Sequence, residues 1–300
     1  MTDYLNFTVK ENESGVKIKQ YLKLNARLSG RLIRGAAKDG RISVNGERVN
    51  LIYVLISGDI IRLNVVKKES QNIEPEPIDI DVAFEDNDII VVNKQPGIVV
   101  HPTKNFATGT LANGLLYHFR KNNEDCIVRL VSRLDMDTSG LMLVAKNQFA
   151  HMALARDMKE ASFQKCYTAV VHGKFTQKKG TIDLPIFRVG EGTVKRIIDE
   201  RGQKSITHYE VIKEINGDSI LSLKLETGRT HQIRVHLSHI GHPVYGDTIY
   251  CDQDDSELIS RQALHATKLI FPHPRTGELI KLQTKLPMDI EKLIENIKNC

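Results

Sequence analysis

A chain of 300 residues that is 41% hydrophobic can bury a sizeable core and has room for two domains. No run of about 18 apolar residues occurs, and Met1-Thr2-Asp3-Tyr4-Leu5-Asn6 lacks both a basic and an apolar leader region, so a cytoplasmic protein with no membrane span is expected. The net charge of +5 is unevenly spread: residues 1–70 hold 13 Lys and Arg against 7 Asp and Glu, residues 91–300 hold 29 against 23, and residues 71–90 carry 7 acids and no base. Two basic segments about an acidic junction suit an RNA-binding pair, although many enzymes without a nucleic-acid partner are as basic. The cysteines, at 126, 166, 251 and 300, make no Cys-x-x-Cys pair, which points to reduced thiols rather than a zinc ribbon or disulfides.

In chain order, Ile18, Tyr21, Leu22 and Leu24 predict a first helix, and Ser29 caps a second. That second helix presents Arg31, Arg34 and Lys38 on one face, a basic stripe that Arg41 extends. Ile42-Ser43-Val44 runs into an Asn45-Gly46 turn, and Gly58-Asp59 precedes a strand at 60–63. The acidic Glu74-Pro75-Glu76-Pro77 stretch stiffens the chain and removes amide donors, as a solvated linker over 69–80 would. Strands are expected at 89–93, 141–146 and 166–171, and Asn216-Gly217 between 207–214 and 219–225 marks a hairpin in an antiparallel sheet. Thr110, Asn147 and Thr230 are placed to cap helices. Ile290, Leu293, Ile294 and Ile297 give a terminal helix one apolar face.

The most informative stretch is Arg133-Leu134-Asp135-Met136-Asp137-Thr138-Ser139-Gly140, a carboxylate in a polar turn directly before the apolar strand Leu141-Met142-Leu143-Val144-Ala145. It resembles the catalytic loop of the RluA-type pseudouridine synthases, His-Arg-Leu-Asp, two variable residues, Thr-Ser-Gly, except that Ser132 stands at the His position. Further segments resemble that family in its own order: Asn93-Lys94-Gln95-Pro96-Gly97 with Val99-Val100-His101-Pro102, Gly109-Thr110-Leu111-Ala112-Asn113, Lys165-Cys166-Tyr167 through Gly173, Thr227-Gly228-Arg229-Thr230-His231-Gln232-Ile233-Arg234, and Gly246-Asp247. The resemblance covers roughly residues 80 to 285. It implies an α+β pseudouridine synthase fold, a mainly antiparallel sheet flanked by helices, over 81–300. The two helices and small hairpin of residues 1–68 resemble the alpha-L RNA-binding domain, although the usual Gly-Arg-Leu-Asp start is replaced by Gly15-Val16-Lys17-Ile18.

Isomerising uridine breaks the bond from ribose to base nitrogen, turns the uracil and rejoins the ribose at ring carbon 5. The reaction needs an ionised carboxylate, a water-poor pocket for the loose base and a route for the carbon-5 proton, with no cofactor or metal. The resemblance implies Asp135 as the carboxylate, Arg234 as its buried cation and Tyr167 as the cleft tyrosine. A carboxylate pressed against a base needs such a cation, since desolvation favours its protonated form, and a guanidinium stays charged when buried. Arg133, Arg229 and His231 are candidate RNA contacts, and Arg31, Arg34 and Lys38 candidate phosphate contacts. The substrate implied is a structured RNA, most of all large-subunit ribosomal RNA, with transfer RNA the alternative; unpaired uridines cost least to extrude.

Two rival functions are weaker. Asp135-Met136-Asp137-Thr138 fits a magnesium-dependent phosphatase of the haloacid-dehalogenase type poorly, because that motif wants an apolar strand before the first Asp and Thr or Val where Ser139 stands. A non-catalytic RNA-binding assembly factor would not need Asp135, Tyr167 and Arg234 together. Among His231, His236, His239 and His242 only 236 with 239, and 239 with 242, have the three-residue spacing of one helical face, and Gly241-His242-Pro243 lies past the helix end, so no metal is expected.

Overall fold

The computed structural model describes residues 3–67, 69, 71–190 and 192–299, so Cys300 lies outside the described residues. In the N-terminal part β1 (Tyr4–Thr8), α1 (Ile18–Leu24), α2 (Gly30–Lys38), β2 (Ile42–Val44), β3 (Glu47–Arg48) and β4 (Ile60–Asn64) form two helices on a four-stranded sheet of order β1-β4-β2-β3. Ser29 Oγ accepts the Leu32 amide at the start of α2, as its sequence position predicts. Asn45 and Gly46 both adopt positive φ, 52° and 92°, as a tight turn whose twist matches the strands requires. The core of this part, with Ile18, Leu22, Leu32, Ile33, Ile61 and Leu63, also takes in Phe149 from the larger part.

The remainder comprises β5 (Val82–Glu85), β6 (Ile89–Lys94), α3 (Leu111–Lys121), β7 (Arg129–Leu130), β8 (Ser139–Ala145), α4 (Gln148–Asp157), β9 (Gln164–Val171), β10 (Lys179–Asp183), β11 (Ile186–Arg188), β12 (Arg196–Ile198), β13 (Ile206–Ile215), β14 (Asp218–Leu225), α5 (Gln232–His239), β15 (Leu264–Pro272), β16 (Leu279–Gln283) and α6 (Met288–Asn299). Its long sheet runs β10-β13-β14-β9-β15-β8-β6-β5, with β16 on β15 and β7 on β8. All its pairings are antiparallel except β15 with β8. At the centre, side chains alternate between two cores. Ile90, Val92, Met142 and Val144 pack with α3, while Ile89, Val91, Leu141, Leu143 and Ala145 pack with α4. Burial on both faces explains why β8 reads as an unbroken apolar run. A third core lies under β9, β14, α5 and α6.

The 71–80 segment departs from a solvated linker. Ile73 is buried in the α3 core, Gln71 exchanges hydrogen bonds with the Val128 backbone, Asn113 Nδ2 donates to Glu74 O, and the Glu76 carboxylate accepts the Gly109 amide. The prolines stiffen a strap that is laid along α3, and one of its acids, Glu76, meets a backbone donor rather than water alone. The N-terminal part is joined to the rest at α4, where the Ser29 amide donates to Met152 Sδ at 3.0 Å, and at Arg275, which bridges Asp88 and Tyr4 O. No helix among the described residues is long and apolar enough to cross a membrane.

Candidate active site

Asp135 sits in the loop between β7 and β8, and the fold grips that loop from three sides. Where β8 begins, Ser139 and Gly140 pair in parallel with His265 and Ala266. A Cβ at Gly140, whose φ is 112°, would lie 2.4 Å from Ala266 O, so glycine is required by close approach as well as by conformation. Buried Lys94 donates to Met136 O at 2.7 Å, Gln95 O at 2.8 Å and Ile98 O at 3.0 Å. Burial is the main reason its ammonium falls to about 8. Arg261 donates to Asp137 O at 3.0 Å while its other nitrogens bind the Asp289 carboxylate. Two cations thus hold the carbonyls of the loop and leave the Asp135 side chain facing the cleft.

Arg234, the third residue of α5, reaches Asp135 Oδ2 at 3.3 Å. Its Nε and Nη2 bind both oxygens of Asp247 at 2.6 and 2.7 Å. The Asp247 side chain is fully buried and that of Arg234 nearly so, whereas Asp135 keeps 26% of its side chain accessible. Burial would lower the Arg234 pKa, but Asp247 and then Asp135 hold it above the ordinary value, so the guanidinium stays charged. The buried pair orients one remaining donor at the exposed carboxylate. Thr230 does not cap α5: His231 is the N-cap residue, in the left-handed region at φ 58° and with no side-chain cap. Gln232 Oε1 takes the Arg229 amide and the Thr227 hydroxyl instead, which delays the helix by one residue.

Tyr167 lies on β9 with 7% exposure, and burial followed by the Asp135 charge raises its phenol, which remains protonated at neutral pH. His231 Nε2 is 4.0 Å from Asp135 Oδ2, and burial lowers the imidazole below its usual value. These residues line a cleft of about 850 Å³, together with His101, Arg133, Lys159, Lys165, Glu226 and Arg229. The expected site residues Asp135, Tyr167, Arg234, Arg133, Arg229 and His231 are therefore together. Arg31, Arg34 and Lys38 do not line the cleft and stand exposed on α2, whereas Arg41 is bound to Asp39 and Asn64 O. Arg229 is turned to Lys204 O and does not compete with Arg234 for Asp135.

Three of the four histidines between 231 and 242 have separate partners: His236 meets Thr207 and Leu184 O, His231 meets Tyr250, and His242 meets His172 O. One metal-capable group among the described residues is His172, Cys251 and Asp255. There Asp255 Oδ2 already accepts from the Gly246 amide at 2.7 Å and meets His172 Nε2 at 3.1 Å, so the group pins the turn that carries Asp247. A phosphatase loop is also contradicted in form, since the long apolar strand β8 follows Asp135, while the two-residue β7 ends at Leu130 and, among the described residues, no strand runs directly into Asp135.

Residues 88–239 match the family described as RNA pseudouridylate synthase. Among relatives, an uncharacterized RNA pseudouridine synthase of Bacillus subtilis, YjbO, is 39% identical over 96% of this chain and 98% of its own length. The ribosomal large subunit pseudouridine synthase D of Vibrio parahaemolyticus is 35% identical over 98% and 94%. This chain belongs to the RNA pseudouridine synthase family. The solved structure of human RNA pseudouridylate synthase domain containing 1 is similar at 30% identity and a TM-score of 0.56, over 69% of this chain and 83% of that one. As a pseudouridine synthase the protein is an isomerase of RNA uridine, a class of chemistry different from the rival phosphatase. Sequence reasoning quoted Lys94 and Asp247 within motifs without giving either a task; both become legible only when Met136 O and Arg234 are seen beside them. Lys165 was also passed over, although its place two residues before Tyr167 puts both on one face of β9.

Proposed function

We propose that Asp135 is the reacting carboxylate for a flipped uridine of large-subunit ribosomal RNA, that Arg234 keeps it ionised, and that Tyr167 covers the uracil. The observation that carries this reading is the Asp135–Arg234–Asp247 array: a buried guanidinium, bound twice to Asp247, directs Nη1 at the Asp135 carboxylate, which faces the cleft. The raised Tyr167 phenol suits a neutral ring that stacks on the base and donates a hydrogen bond, rather than a phenolate base. Arg133, Lys159, Lys165 and Arg229 along the cleft outnumber Asp135 and Glu226, a balance that favours a polyanion. The ribosomal target rests on relatives named for the large subunit, such as those of Vibrio parahaemolyticus and Pasteurella multocida. In this reading residues 1–68 form an RNA-binding domain whose α2 face adds phosphate contacts to the catalytic domain of 81–300. Pseudouridine maps of total RNA from cells with the wild-type gene, without it, and with Asp135→Asn test the proposal. The expected result is loss of the same large-subunit positions in both altered strains. Loss confined to transfer RNA would overturn the target, and retention of all sites in the Asp135→Asn strain would overturn the residue.

A further inference from the structure

The hydroxyl of Tyr250 stands between two partners. The Arg196 backbone amide donates to it at 2.8 Å, and its oxygen lies 2.9 Å from His231 Nδ1. An amide N–H can only donate, so the phenol oxygen is the acceptor in the first bond. The phenol proton then has one acceptor in reach among the described residues, His231 Nδ1. A nitrogen that accepts carries no proton, which places the imidazole proton on Nε2, the atom 4.0 Å from Asp135 Oδ2. Burial keeps the Tyr250 phenol above its ordinary value, so that proton is retained. The ring of Tyr250 also lies beneath the Arg234 guanidinium, 5.3 Å from its centre, which ties the three side chains into one packed unit.

We propose that Tyr250, oriented by the β11–β12 hairpin, is a positioning residue that locks His231 as the neutral Nε2–H tautomer, and that this N–H donates to a carbonyl oxygen of the uracil as it detaches. The inference rests on the proposed role of the cleft. When the bond between ribose carbon 1 and base nitrogen breaks, its electron pair leaves with the base, and the negative charge spreads onto the uracil carbonyl oxygens. A neutral N–H donor stabilises that charge without giving up its proton, and a charged imidazolium is not needed. The backbone amide of Arg196 thereby connects β12 to the reacting base.

Nitrogen-15 shifts of the histidine rings decide the tautomer directly and do not depend on turnover. The chain has 11 histidines, and the His231 signals are identified by their disappearance in His231→Gln. The expected pattern is a protonated Nε2 and a bare Nδ1 for His231 in the wild type, and a mixed or reversed pattern in Tyr250→Phe. In single-turnover assays Tyr250→Phe is expected to lower the saturated rate by about tenfold or more with RNA affinity unchanged. His231→Leu is expected to lose about 100-fold, the scale of one lost donor to a developing oxyanion. His231→Gln, which offers an amide N–H, is expected to regain part of that loss. A protonated Nδ1 in the wild type, or a Tyr250→Phe enzyme with normal rate and tautomer, would overturn the inference. Failure of the cleft reading itself would appear instead as an active Asp135→Asn enzyme with the tautomer unaltered.

Discussion

At the scale of single residues, the site depends on one arginine serving two carboxylates of opposite character. Asp247 is fully buried and bound through both oxygens, while Asp135 is reached by one nitrogen and remains open to the cleft. Removing Arg234 therefore does more than free Asp135; it strands a buried charge, which costs about 3–5 kcal/mol. Arg234→Met is expected to lower the unfolding free energy measured by urea titration by that amount and to abolish isomerisation. In the double variant Arg234→Met, Asp247→Asn the stranded charge is gone while Oδ1 still accepts the Ile249 and Tyr250 amides. Part of the lost stability is expected to return, with no return of activity. Equal stability of the single variant and the wild type would show that the Asp247 pair contributes little to the fold. Asp135, Tyr167 and Arg234 could be named from the sequence because their motifs are local. Asp247 carried the signal of a Gly-Asp pair only, since its partner lies 13 residues back on another element and nothing in the chain's periodicity joins them.

At the scale of elements, turn and cap chemistry was readable wherever the deciding contact was short-range. Ser29, Thr110 and Asn147 cap helices as expected, and Asn216 and Gly217 take positive φ at the β13–β14 turn. Thr230 failed because His231 adopts the left-handed region, a choice that follows from Tyr250 and Gln232 rather than from residues 229–231 themselves. The 71–80 segment failed for a related reason: its acids and prolines describe a linker, but Ile73 finds an α3 core that composition does not reveal. The basic face of α2 can be tested without truncation, which would expose Phe149 and Met152. Arg31→Gln, Arg34→Gln, Lys38→Gln is expected to weaken binding of long RNA and reduce the log–log salt slope by about 0.7 to 0.9 per lost phosphate contact. The single-turnover rate at saturating enzyme is expected to persist. An unchanged slope would mean that this face is solvated surface.

At the scale of the whole molecule, three cores converge on the loop that bears Asp135, and their buried polar groups make stability depend on pH. His265, 2% exposed and bonded to Ser139, is lowered to about 4, first by burial and then by Arg261. Its folded pKa lies below the unfolded value near 6.5, so the unfolded chain binds the proton first, and stability is lost as pH falls from about 6.5 towards about 4. His231 and His236 are lowered in the same direction and add to the slope. The His265 share is roughly 3 kcal/mol. Urea titrations of His265→Asn are expected to show a flatter acid limb than the wild type; an identical limb would assign the loss to other groups. The most direct test of the central claim is the single-turnover rate of purified Asp135→Asn on RNA that the wild type modifies, with Asp137→Asn beside it. Asp135→Asn removes the charge and keeps the shape, so RNA is expected to bind as before and isomerisation to fall below detection, while Asp137→Asn keeps most of the rate. Isomerisation by Asp135→Asn at more than a few per cent of the wild-type rate, or a larger loss in Asp137→Asn, would contradict the account.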